Sequence, residues 1–507
     1  MSYSPPFARR APETLAELSD HAAIRFGDAV ALIDGENRLS FAQIGRLAAH
    51  FSEELRTLGL SRGDRVMLNL SNGWRWIIAY YGVLRTGAVA VPCNIMLTAA
   101  ELDYIAGHSG ARAIISDKAI APLGLMSIPV GDWDLADRRA RAAQIDAPAA
   151  ASVDPRDPAA IGYTSGTTGM PKGAVLSHRA IVASATGTAT IHMRAYGEVV
   201  ASALPMSHVY GNIVLNSCLL VGMTLVSMPK FDVDQLCDMI ERERVTLFEG
   251  VPTMYAYLLA HPGIGKRDLR SLRRCTVGGQ TMPPAQIDAV EELLGCPLLE
   301  LWGMTELAGP AISHSPYMPA RRGSIGLPMP GMEAAIFSLE DGHVLPRGEA
   351  GELAVRGPMV MDGYHADPAA TAEVLDAQGW LRTGDVAFCD DEGLYTIIDR
   401  RKEMIITAGY NIYPAELERV IARHPAVSMV AVSGVSDPEK GELAHAFVVP
   451  APGYAPTEAE LLQHCRGILA AYKVPRAIIF VEDLPKTSTG KILRRALRSS
   501  NPMLRQG

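Results

Sequence analysis

Apolar and polar positions along the first third of the chain switch repeatedly between two periods. From Ser40, apolar residues fall at Ile44, Leu47, Phe51, Leu55 and Leu58. Steps of three and four place them on one helix face, with Ser40 as the cap and Gly59 as the stop. Residues 65–70 then alternate, with Val66, Leu68 and Leu70 on one side, and read as a strand. A helix is expected over 74–84, closed by Gly87, and a strand over 88–91. Thr98 and Glu101 form a capping box for a helix reaching about residue 108. Residues 112–116 read as a further short strand. Strand and helix in alternation predict a mainly parallel sheet with helices on its faces.

The stretch 132–151 is rich in Ala, Asp and Arg, lacks a strand pattern and reads as a surface connection. Alternation resumes from Ile161 to about Phe337. Between Gly351 and Ile398, GELAVRG, LRTGD and DEGLYTII read as short strands and turns of a small β-rich subdomain. After residues 399–402 a separate α+β block begins, with helices over 414–424 and 457–471 and strands near 427–432 and 445–449. The predicted architecture is α/β: a large N-terminal domain of mixed, mainly parallel sheets with a small β-rich subdomain, and a small α+β C-terminal domain. The boundaries are 1–399 and 403–507, joined by 400–402.

Composition narrows the class. The 507 residues are 48% hydrophobic and 20% charged, a globular balance that excludes disorder and small disulfide scaffolds. A net charge of -8 removes the basic footprint of a nucleic-acid binder. Seven cysteines without a CxxC pair read as reduced thiols of a cytoplasmic protein. The N-terminal MSYSPPFARRAPETL has no apolar run, so no secretory leader is expected. The most apolar stretch, 212–228, is interrupted by Asn216, Ser217, Gly222 and Thr224. It reads as buried core rather than a membrane span.

The densest chemical signal is YTSGTTGMPKG over 163–173. Ala160, Ile161 and Gly162 predict a strand running into it. The loop offers hydroxyls at Thr164, Ser165, Thr167 and Thr168, glycines at Gly166, Gly169 and Gly173, and the cation of Lys172. Glycines let backbone N–H groups approach an anion, and hydroxyls and lysine add donors and charge, so the loop suits a polyphosphate. The spacing is not that of a Walker A loop.

Further motifs follow in order: LPMSHVYG (204–211), LWGMTE (301–306), TGD (383–385), IDRRK (398–402), GYNIYPAE (409–416) and PKTSTGK (485–491). With the loop, they resemble the adenylate-forming superfamily across nearly the whole chain, in its acyl-CoA synthetase or fatty-acid–CoA ligase branch. The resemblance implies two steps. A carboxylate attacks the α-phosphate of ATP, giving acyl-adenylate and pyrophosphate; the thiol of coenzyme A then displaces AMP. An anion must attack an anion, so the site has to supply positive charge where negative charge builds up.

By that resemblance Glu306 is the Mg²⁺-binding carboxylate, with Thr167 as a second metal contact, and Thr305 donates to the α-phosphate. Trp302 stands where tyrosine is commoner. Its ring can stack on adenine, with the phenol hydrogen bond lost. Gly278, Gly279 and Gln280 flank the other side of the adenine, Gly303 follows the Trp, and Glu300 sits where an acceptor for the adenine amine is found. Asp385 and Arg400 match ribose or phosphate contacts. Lys491 matches the C-terminal lysine that reaches the reacting oxygens, Lys402 the hinge, and Gly409 the narrow thiol channel. His208 matches a gate of the acyl pocket, whose walls are expected from Val209, Tyr210, Gly279, Met304 and Ala308.

The signature QGWLRTGD through Lys402 resembles fatty-acyl-CoA synthetases, which favours coenzyme A and a medium- or long-chain fatty acid. The alternatives are an aryl or other acid, or loading of a carrier-protein phosphopantetheine. Phe231-Asp232 is only half of the amino-acid-activating motif and lies before a helix. Glu249, a charge inside LFEGVPTM, is expected to face water or a partner, with a polar group of the substrate as the alternative. The implied partners are small molecules, with no integral membrane association, and a homodimer is compatible with the sequence.

Overall fold

A computed structural model describes residues 11–120, 124–144, 148–164, 170–319, 321–401, 403–407, 410–437, 441–487 and 492–499. Two large sheets organise the first four hundred. In the nine-stranded one, strands Arg274–Val277, Leu247–Gly250, Val199–Ser202, Thr224–Ser227 and Val30–Asp34 run parallel in that spatial order. The seven-stranded sheet is parallel through Val89–Pro92, Arg65–Asn69, Ala113–Ser116 and Met126–Pro129. Strands Pro158–Thr164 and Lys172–Ser177 join it as an antiparallel hairpin. A four-stranded antiparallel sheet, Glu333–Phe337, Gly351–Arg356, Leu381–Cys389 and Tyr395–Arg400, is the expected β-rich unit.

Local chemistry explains the helices. Helix Phe41–Thr57 starts at Ser40, whose hydroxyl accepts from Gln43 N while Gln43 Oε1 accepts from Ser40 N. Helix Ala99–Ser109 has the same reciprocal cap from Thr98 and Glu101. Helix Trp74–Arg85 is buried along nearly its whole circumference, with Trp76, Tyr80 and Tyr81 at the centre of the main core. Residues 212–228 are core as well. Helix Val209–Val221 is buried, and Asn216 is satisfied there by Asn212 and by the hydroxyl of Tyr81. Asp232 caps helix Val233–Glu243 through Gln235 N, which accounts for its place after Phe231.

The surface connection expected over 132–151 contains a helix, Leu135–Ala142, capped by Asp134. It carries almost no apolar stripe, so hydrophobic periodicity could not reveal it. Its anchor is Arg138, buried, paired with both oxygens of Glu54 and lying 4.1 Å over the ring of Trp133.

The C-terminal unit has its own cores. Strands Gly441–Pro450 and Val427–Asp437 pair antiparallel, and Ala477–Phe480 adds in parallel. Helices Pro414–Ile421 and Glu458–Arg466 cover one face around Leu417, Ile421, Leu461 and Cys465. Among the described residues no helix is long and apolar enough to cross a membrane.

Candidate active site

The polyphosphate loop closes a hairpin. Thr164 and Lys172 are the last register pair before the turn, and residues 165–169, which include Ser165, Gly166, Thr167, Thr168 and Gly169, lie outside the described residues. The hairpin's base meets the LWGMTE segment. A Cβ on Gly162 would come within 2.6 Å of Thr305 Cγ2, so only glycine lets Thr305 lie against this strand. Lys172 Nζ sits 5.2 Å from the ring centroid of Tyr364, whose hydroxyl donates to Glu306 Oε1 at 2.8 Å. Glu306 is 6% exposed, and its Oε2 has no hydrogen-bond donor among the described residues. Burial and the neighbouring carboxylate push the Tyr364 phenol upward, so it stays a neutral donor.

Strand Leu298–Met304 directs Glu300 and Trp302 to one face by its two-residue period. The indole N–H of Trp302 donates to Asp385 Oδ2 at 2.8 Å, so a polar contact survives where a phenol's was expected to be lost. Asp385 pairs across strands with Arg400, with Nε 3.1 Å from Oδ1. Burial pushes the Glu300 carboxyl up to about 8. Gly278 follows strand Arg274–Val277 and packs so tightly that a Cβ would lie 2.3 Å from Leu301 Cδ1.

Of these groups Glu300, Trp302, Asp385 and Arg400 line a cleft of about 440 Å³ between the large body and the C-terminal unit, whereas Lys172, Gly278, Thr305, Glu306 and Tyr364 are not among its lining residues. Gly279, Gln280, Glu300, Trp302, Gly303, Asp385 and Arg400 come from the body; Ser433, Gly434, Ile492 and Arg494 come from the other side. Among the described residues, hydrogen bonds cross between the units at more than one place, the Asp399–Ala415 contact at 2.8 Å among them. Gln280 Oε1 accepts from Ile492 N at 3.0 Å, and Gln286 Nε2 donates to Ser428 O at 3.0 Å. Lys491, Lys402 and Gly409 lie outside the described residues.

A second, small cavity of about 30 Å³ abuts the cleft and shares Gly279, Leu301 and Gly303 with it. His208, Val209 and Tyr210 line it, at the start of helix Val209–Val221. His208 Nδ1 accepts from Tyr210 N at 3.2 Å and caps that helix. Met304, half-buried, and Ala308, buried, are not among its lining residues.

The fold, the order of these groups and the shared cleft can be set against known proteins. Residues 19–365 match the AMP-binding enzyme family, and residues 416–491 match the AMP-binding enzyme C-terminal domain. The chain belongs to the AMP-binding enzyme family. It lies in the acyl-CoA synthetase branch and is an acid–thiol ligase. It is 35% identical to a long-chain-fatty-acid–CoA ligase of Bacillus subtilis, over 96% of this chain and 94% of that one. It is 36% identical to a feruloyl-CoA synthase of Amycolatopsis, over 96% and 97%. Among solved structures, ATP-bound MatB from Rhodopseudomonas palustris superposes with a TM-score of 0.88 at 31% identity, covering 96% of this chain and 98% of that one.

Of the two settings expected for Glu249, water is ruled out, since the residue is wholly buried, and a partner is what it meets. Its carboxylate is paired with the guanidinium of Arg194 and accepts hydrogen bonds from Thr276 and from the hydroxyl of Tyr210, the last at 3.0 Å. Arg194 also donates to Ser217 at 2.7 Å. No sequence spacing announces this cluster, because its members are brought together from a loop, two neighbouring strands and a helix. Tyr364 was equally invisible: nothing local marks it as the residue that orients Glu306. The polar junction after the β-rich sheet was missed too. There Asp399 accepts from Ala415 N at 2.8 Å and Arg400 N at 2.7 Å, and burial pushes its carboxyl up to about 6.

Proposed function

We propose that this AMP-binding enzyme joins a carboxylic acid to ATP as acyl-adenylate with release of pyrophosphate, then passes the acyl group to the thiol of coenzyme A. The observation that carries this reading is the composite cleft. The residue after Lys491 is hydrogen-bonded to Gln280, in the strip flanking the nucleotide position. That contact favours Lys491 as the cation brought to the reacting phosphate and carboxylate, from a lid of residues 403–507 on a body of 1–399 hinged at 400–402. Asp385 and Arg400 are suited to a ribose diol and its phosphate, and Trp302 and the 278–280 strip to adenine.

Glu306 fits a hard dication. It is a carboxylate with one oxygen fixed by Tyr364, and Mg²⁺ commonly takes one or two carboxylates plus phosphate oxygens. Mg²⁺ held by Glu306 and Thr167 would offset the charge of the phosphates. The chain's own part is to hold Thr305 and Lys172 toward the same region.

Coenzyme A as acceptor is supported by the relatives, a long-chain-fatty-acid–CoA ligase and a feruloyl-CoA synthase. The acid is a monocarboxylate with an uncharged tail, because no lysine or arginine lines the small cavity among the described residues. The test is incubation with ATP, Mg²⁺, coenzyme A and a panel of fatty, aryl and dicarboxylic acids, following AMP, pyrophosphate and thioester. Equal AMP, pyrophosphate and thioester with an uncharged-tail acid is expected. Failure to release pyrophosphate with every acid overturns the proposal.

A further inference from the structure

The small cavity beside the cleft is lined by an aromatic ring whose freedom is limited from three sides. Tyr210 is on the first turn of helix Val209–Val221 and is 6% exposed. Its hydroxyl donates to Glu249 Oε2 at 3.0 Å and lies 2.6 Å from Thr276 Oγ1. Glu249 and Thr276 are register partners on adjacent parallel strands, so both hydrogen-bonding partners are fixed by the sheet. The Arg194 guanidinium, wholly buried, pairs with Glu249 from the other side. A hydrogen bond to a charged group holds more firmly than an ordinary one. The backbone cannot retreat either: a Cβ on Gly211 would come within 2.3 Å of Pro205 O.

We propose that Tyr210, latched from behind by Glu249 and Thr276, is the floor of the acyl pocket and restricts the enzyme to compact acids. This rests on the synthetase reading above and names the residue that sets substrate size. The cavity of about 30 Å³ accepts only a group or two of water size, so a short tail fits and a medium or long straight chain does not. Tyr210 is the specificity-determining residue and touches the tail. Glu249 is a positioning residue, acting through Tyr210, and Arg194 acts through Glu249. The ion pair accordingly has a use beyond stability, since a buried pair alone is weak evidence for stabilisation.

The experiment measures kcat/KM over straight-chain acids from propanoate to dodecanoate for the wild type, Tyr210→Ala and Tyr210→Phe, with KM for ATP in parallel. In the wild type, kcat/KM falls at least about tenfold between butanoate and octanoate, a size discrimination within reach of a small, mainly apolar pocket. Tyr210→Ala raises the octanoate-to-butanoate ratio about tenfold or more while KM for ATP does not move. Tyr210→Phe keeps the ring but frees it, and relaxes the same ratio by a smaller factor, about threefold. Wild-type enzyme as active on dodecanoate as on butanoate, or an unchanged profile in Tyr210→Ala, overturns the floor. A Phe variant with the wild-type profile overturns the latch. Where Tyr210→Ala does not fold, Tyr210→Leu takes its place in the same comparison. Activity with an unaltered length profile sinks this inference alone, whereas no pyrophosphate with any acid sinks the synthetase reading beneath it.

Discussion

Glu300 shows how one buried carboxyl can tie nucleotide binding to pH. Burial in strand Leu298–Met304 moves it from an ordinary 4.5 up to about 8. At neutral pH it holds its proton, while the exocyclic amine of adenine can only donate. With Glu300 at the adenine amine, as the resemblance implies, an ionised carboxylate accepts that amine better, so nucleotide binding favours loss of the proton. KM for ATP is therefore expected to fall as pH rises towards about 8 and level off above it, and Glu300→Gln should flatten the dependence. The stability sign is opposite. A carboxyl raised on folding contributes fully below 4.5, and its contribution is lost as pH rises through about 8. Melting temperature followed against pH should decline across that window in the wild type and less in the variant. The Arg194–Glu249 pair calls for a different measurement. Glu249→Leu strands a buried guanidinium and should cost about 3–5 kcal/mol, while the double variant Arg194→Met/Glu249→Leu recovers most of that in denaturant titrations. An equally unstable double variant would show that shape, not charge pairing, is what the site requires.

Elements decide where these side chains stand, and in the tail Arg494 is a tie between two of them. Arg494 forks onto Glu418, with Nε to Oε1 at 3.0 Å and Nη2 to Oε2 at 2.7 Å, and also pairs with Glu403. It therefore ties helix Arg494–Ser499, just beyond Lys491, to helix Pro414–Ile421. Arg494→Ala should lower acyl-adenylate formation about tenfold or more by loosening the segment that carries Lys491. Arg494→Lys should fail to restore it, since a point charge cannot copy the two-pronged contact. Full activity in Arg494→Lys would reduce the tie to simple charge. Elements with a periodic apolar face were legible in the sequence, as were the reciprocal caps at Ser40 and Thr98, because both signals are local. Helix Leu135–Ala142 was not, because its anchor is an arginine paired with Glu54. The residues of the cleft could be picked out as motifs. Their partners could not: Tyr364 beside Glu306, Arg194 beside Glu249 and Arg494 beside Glu418 are separated by tens of positions, and only the fold brings them together.

At the scale of the whole molecule, the chemistry asks one cleft to serve two steps with different needs. Joining a carboxylate to ATP requires a cation at the reacting oxygens; thiol attack on the adenylate requires access for a bulky acceptor. On the proposed reading, a lid carrying Lys491 on a hinge at 400–402 meets both needs in turn, and the described contacts holding it to the body are in part polar. They include the hydrogen bonds Ile492–Gln280 and Gln286–Ser428 and the junction at Asp399. Contacts of that kind can be exchanged at small cost, unlike a buried apolar interface. The division of labour has a direct consequence for Lys491→Ala. The variant should lose pyrophosphate release by about a hundredfold or more, as expected when a charge acting on the transition state is removed. Given preformed acyl-adenylate and coenzyme A, it should still make thioester at close to the wild-type rate, because on the proposed reading the lysine serves the first step alone. Single-turnover measurement of the two half-reactions separates these cases. Equal loss in both halves would mean that Lys491 stays beside the nucleotide throughout, and that a single lid posture serves the whole reaction.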